Sequence, residues 1–210
     1  MYLLATRLQA KRGMTAEAGD YVRRAREVVS SAAGLPFSAW AVAAGDDLGV
    51  FVMSARIESF DQYMAANQAI SQHPDFQALS KASVDVIEGP TRTGLGQVVA
   101  AAGEVSDTPR PLAVVTTATA APGQQATAIA WATNLLNHVT ELTGVAGMVT
   151  ASIVGNIGNI NWVQGLDSGA EIDELNAKLQ ADAGYLELVG QSGSLLVAGS
   201  SRRVMLAQLP

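Results

Sequence analysis

The sequence matches itself. Shifting the 210-residue chain by 110 positions superimposes Gly13 on Gly123, Gly34 on Gly144, Gly45 on Gly155 and Gly89 on Gly199. Arg92 then falls on Arg202, so Gly-Pro-Thr-Arg at 89–92 meets Gly-Ser-Ser-Arg at 199–202. Glycine tends to mark backbone positions where a Cβ is costly, so coincidences at one offset report shared turns. Apolar spacing follows the same shift. Ala18, Tyr21, Val22, Ala25, Val28, Val29 and Ala32 recur at helical period, and their counterparts are Ala128, Trp131, Ala132, Leu135, His138, Val139 and Leu142. One member of the second stripe is not apolar: His138.

Each copy reads strand, helix, strand, strand, helix, strand. In the first, Leu3–Lys11 is a strand, and Gly13 with Thr15 opens a helix to about Ala33. Strands follow over Phe37–Ala44 and Leu48–Ile57, joined by a hairpin turn at Gly45-Asp46-Asp47. Ser59 caps a second helix that breaks near His73-Pro74, because proline disfavours helix in the residue before it, and resumes to about Ser83. A last strand covers Thr91–Ala100. The second copy predicts strands near Leu112–Ala121, Val145–Val154, Ile157–Leu166 and Ser201–Gln208, with helices over Gly123–Leu142 and Ser168–Val189. The chain therefore divides into repeats 1–100 and 111–210 with a small, polar linker at 101–110. A βαββαβ order predicts an α+β, ferredoxin-like unit, a four-stranded antiparallel sheet with both helices on one face. Leu4, Leu8 and Ala10 make one side of the first strand apolar, and Leu3 and Ala5 do the same for the other. A second sheet must cover the face that the helices leave bare, and the duplication supplies it.

On this repeat, this element order and the stretch Ser59-Phe60…His73-Pro74-Asp75-Phe76, the sequence resembles the dimeric α+β barrel superfamily. Antibiotic-biosynthesis-type monooxygenases and stress-responsive barrels belong to that superfamily. The resemblance implies two ferredoxin-like repeats packed sheet to sheet as an intramolecular dimeric α+β barrel. It does not specify a reaction, because this fold hosts oxygenases, haem enzymes and isomerases alike.

Charge and composition narrow the function classes. A net charge of −6 lacks the concentrated basic surface that nucleic acid requires. Cysteine is absent, which excludes thiol chemistry and cysteine-based metal sites. Two histidines without paired carboxylate spacing give no metal centre. No apolar run reaches the roughly 18 residues of a membrane span, so a cytoplasmic protein is the expectation. Haem-degrading relatives place an axial histidine near the position of His73, together with a first-strand asparagine and a nearby tryptophan. Here the first strand carries Thr6 and Arg7 and no asparagine, and Leu48–Ile57 holds no tryptophan, so His73 reads as a helix-breaking cap and no cofactor is expected.

Five residues are candidates for binding a ligand. His138 lies on the apolar stripe with Trp131 two turns earlier on the same face, and reads as a core histidine satisfied by a carbonyl or by a hydroxyl such as Thr117 or Thr150. Trp162 and Asn161 stand in the second hairpin, and His73 completes the set. No group of reactive side chains converges in the sequence. The expectation is a protein that binds a small apolar or aromatic ligand or serves as an assembly subunit, as a homo-oligomer or within a larger complex. The alternative is a cofactor-independent monooxygenase or haem-related enzyme with a pocket between sheet and helices.

Overall fold

The computed structural model describes residues 1–45, 48–106 and 108–210. Asp46 and Asp47 of the expected first hairpin turn, and Asp107 of the expected linker, lie outside the described residues. The first half runs β1 (Tyr2–Gln9), α1 (Thr15–Ala33), β2 (Ser38–Ala44), β3 (Val50–Ile57), α2 (Phe60–Gln72), α3 (Pro74–Val86) and β4 (Arg92–Ala102). The second runs β5 (Leu112–Thr119), α4 (Gln125–Thr143), β6 (Gly147–Val154), β7 (Asn159–Leu166), α5 (Gly169–Ala181), α6 (Ala183–Gly190) and β8 (Arg202–Gln208). The strands close into an eight-stranded barrel in the order β1-β3-β2-β8-β5-β7-β6-β4. That ring contains the ferredoxin-like order twice, as β4-β1-β3-β2 and as β8-β5-β7-β6. The chain forms two compact units, Met1–Leu95 with Ala207–Pro210 (unit 1) and Gly96–Leu206 (unit 2).

All four glycine pairs that anchored the repeat adopt left-handed backbone. Their φ values are +81° and +78° at Gly13 and Gly123, and +63° and +77° at Gly34 and Gly144. At Gly45 and Gly155 they are +91° and +95°, and at Gly89 and Gly199 +64° and +72°. Gly34 and Gly144 end α1 and α4 in the αL conformation that a side chain makes costly. The offset changes at the hairpin and is 110 again at Gly89 and Gly199. Register places Thr6 opposite Met53 and Thr116 opposite Trp162, so after the hairpin the equivalence runs at 109. The capping serines, Ser59 of α2 and Ser168 of α5, follow that offset.

Two expectations shift at element ends. β4 continues to Ala102, two residues into the segment expected as linker, and its side chains alternate between exposed and half-buried along Gln97–Ala102 as a strand's do. The helix expected across Ser168–Val189 breaks at Asp182, the position equivalent to His73. The Asp182 carboxylate accepts the backbone N–H of Tyr185 at 2.6 Å and starts α6 afresh.

Each unit has its own core. In unit 1, Ala18, Tyr21, Val22 and Ala25 of α1 pack on Leu8, Ala39 and Phe51. In unit 2, Trp131, Ala132 and Leu136 of α4 pack on Ala118, Val149, Ile160 and Trp162. Ile57, Leu136, Ile160 and Leu166 are among the largest fully buried side chains, each worth about 1.5–3 kcal/mol of apolar burial. Among the described residues, no helix is long and apolar enough to cross a membrane.

Candidate functional site

In unit 2 the helix-facing side of the sheet is built from alternate residues of paired strands. Thr116 and Ala118 of β5 stand opposite Trp162 and Ile160 of β7, and Gly147 and Val149 of β6 stand opposite Gln164 and Trp162. Between this face and α4, α5 and α6 lies a cavity of about 170 Å³. Trp131, Leu136 and Val139 of α4 line it from above, Trp162 and Gln164 from below, and Tyr185 and Val189 of α6 from the side. Arg203, an exposed residue of β8, closes the ring.

The two tryptophans are fixed in place. Their rings meet edge to face, 5.6 Å between centroids and 82° between planes. The Trp131 indole N–H donates to the Leu188 carbonyl at 2.8 Å, which ties α4 to α6. The Trp162 indole N–H donates to the Ala132 carbonyl at 3.1 Å. Both therefore present carbon faces and no free polar group to the cavity.

Gln164 differs from everything around it. It is 8% exposed, and its Nε2 has no hydrogen-bond partner. Gly147 makes room for it: a Cβ there would come within 3.1 Å of Gln164 Cγ and within 3.0 Å of the Val163 carbonyl oxygen. Arg203 donates from Nε to Thr116 Oγ1 at 3.0 Å. The lining contains no Asp, Glu or His.

Of the five candidates read from the sequence, the cavity brings together Trp131 and Trp162. His138 is next to its wall but does not line it. The expectation of a buried histidine bonded to Thr117 or Thr150 is overturned. The ring is 32% exposed and its Nε2 lies 2.6 Å from Asp182 Oδ1, the cap of α6. The His138 hydrogen bond, followed by the Tyr185 N–H, holds the Asp182 carboxyl below the usual carboxylate range. Thr117 and Thr150 instead serve Asn161, which accepts from Thr117 Oγ1 at 2.8 Å and donates to Thr150 Oγ1 at 3.1 Å. Asn161 alternates with Trp162 and so lies on the other face of the sheet. His73 belongs to unit 1, where it caps α3 without a side-chain cap bond and keeps a buried, unpartnered Nδ1.

The sequence reading missed Gln164, Arg203, Tyr185 and Asp182. Gln164 did carry a signal, because Ile160, Trp162, Gln164 and Leu166 alternate on one face and only one of them is polar. Haem does not fit this cavity. Its volume falls well below the roughly 300–1,000 Å³ of drug-sized pockets, and no histidine reaches it.

Comparison with known proteins gives the fold. No family model and no curated protein matches the sequence. Among solved structures, a candidate monooxygenase of Fusobacterium nucleatum subsp. nucleatum superposes with a TM-score of 0.73 at 11% identity, over 100% of this chain and 92% of that one. An anthrone oxidase-like protein gives 0.71 at 12%, over 100% and 91%. A haem-degrading enzyme of Listeria monocytogenes gives 0.53 at 8%, over 99% of both chains. Identities this low carry the fold and not the reaction. The likeness shows the fold: the chain is built as a dimeric α+β barrel is, with both βαββαβ halves on one polypeptide.

Proposed function

We propose that unit 2 binds a small, flat, largely apolar molecule against Trp131 and Trp162, with an acceptor oxygen on Gln164 Nε2. The buried, unpartnered amide in an apolar cavity carries this reading. Such a group costs about 1–3 kcal/mol while unsatisfied, and an acceptor on the ligand removes that cost. Unit 1 shows that the fold has no need of it, because Ala55 occupies the equivalent place opposite Leu4. A volume of about 170 Å³ is close to the roughly 150 Å³ of a cavity that takes benzene, so one substituted ring fits.

Tryptophan fluorescence tests this. Titration with acetophenone is expected to give a saturable change, and Gln164→Leu to weaken it by about tenfold. Toluene, which has no acceptor, is expected to bind wild type and variant alike. A linear, non-saturating response to both compounds would sink the reading.

A second reading has support from the likeness to proteins named as a candidate monooxygenase and an anthrone oxidase-like protein. It is oxygenation without a cofactor, in which O2 converts a ring methylene to a carbonyl and its second oxygen leaves as water. The lining offers no carboxylate or imidazole base, which favours binding over turnover. Oxygen consumption with an electron-rich aromatic ketone that carries a ring methylene, dependent on this protein and lost in Gln164→Leu, would reverse that preference.

A further inference from the structure

We infer that the molecule held in unit 2 is an anion, a one-ring aromatic monocarboxylate whose head group lies between the Gln164 amide and the Arg203 guanidinium. The inference rests on the binding role proposed above and adds the charge of the ligand.

Arg203 spends its Nε–H on Thr116. It forms no ion pair with a carboxylate among the described residues. Its two terminal nitrogens form the planar fork that matches a carboxylate. Thr116 stands opposite Trp162, and Gln164 is two residues further along β7 on the same face. Diagonal neighbours of this kind are about 7–8 Å apart, a separation that a carboxylate and the Arg203 side chain span together. The lining holds one cation and no carboxylate, so it favours an anion over a neutral or cationic ring.

Unit 1 again serves as an internal control. The residue equivalent to Arg203 is Thr93, whose hydroxyl meets Thr6 Oγ1 at 3.0 Å, as Arg203 meets Thr116. The strand contact survives without a cation. Gln164 and Arg203 therefore both exceed what the shared architecture requires.

The test compares benzoate, benzamide and toluene by titration calorimetry or ligand-observed NMR on the full chain. Benzoate is expected to bind about tenfold more tightly than benzamide at low salt, and the gap to narrow as salt rises. Arg203→Gln is expected to erase the gap, with toluene binding reporting that the cavity is intact. Equal affinity for benzoate and benzamide, or a benzoate preference that survives Arg203→Gln, would overturn this inference and leave the binding role standing. Failure of all three compounds to bind would remove the binding role and this inference with it.

Discussion

Gln164 sets stability against recognition, and the two can be measured separately. Replacing it by leucine keeps a side chain of similar size and removes an amide that the fold leaves unsatisfied. Gln164→Leu is therefore expected to raise the unfolding free energy by about 1–2 kcal/mol in urea titration while ligand affinity falls. A loss of stability would mean that the amide is already satisfied. Val28 occupies the place in the first repeat that His138 takes in the second. The 2.6 Å bond to Asp182 nevertheless makes His138→Val destabilising, by about 0.5–1.5 kcal/mol. Asp182→Ala is expected to cost more than His138→Val, since it removes the Tyr185 cap as well. Acid should expose the same group. A carboxyl held below its ordinary value of 3.8 stabilises the fold at higher pH. That contribution is lost as pH falls through the folded-state value. Urea midpoints of the wild type should therefore drop below about pH 5 more steeply than those of Asp182→Asn.

At the scale of elements, one architectural feature is produced by two different local devices. In the first half Pro74 breaks the helix, since its ring excludes helical backbone at His73, whose ψ is 124°. In the second half Asp182 has nearly the same backbone, φ −93° and ψ 117°, and starts α6 with its side chain. Ala183 sits where Pro74 sits. Ala183→Pro is thus expected to stabilise the chain by about 0.4–1 kcal/mol, a rise in melting temperature that calorimetry would detect. Gly147 is the opposite case. Its Cβ would press on the Val163 carbonyl, Gln164 and Leu136 at 3.0–3.1 Å, so Gly147→Ala is expected to cost about 1–3 kcal/mol and to shrink the cavity. The helix break at Pro74 was legible because proline acts through local sterics. The break at Asp182 was not, because an aspartate becomes a cap only where the chain around it turns.

At the scale of the whole molecule, apolar side chains remain on the surface. Met64 of α2 is 61% exposed, Val84 of α3 64% and Ile157 of the second hairpin 74%. We propose self-association through helix faces, and light scattering at micromolar concentration is expected to give a mass above the 21.7 kDa of one chain. A mass of 21.7 kDa would leave only a complex with another protein. The repeated glycines and the two apolar stripes determined the element order, and through it the doubled ferredoxin-like unit, because turn sterics and helical or strand periods are local properties. The second stripe also carries Trp131, whereas Trp162 was a candidate through its place in the second hairpin. Tertiary structure alone decided which polar groups meet. Gln164 becomes an unpartnered donor only when Gly147 and Trp131 close around it. His138 becomes the partner of a helix cap 44 residues away only when α6 folds back onto α4. A side chain's chemistry in a folded chain is set by what surrounds it in space, and those neighbours come from distant parts of the sequence.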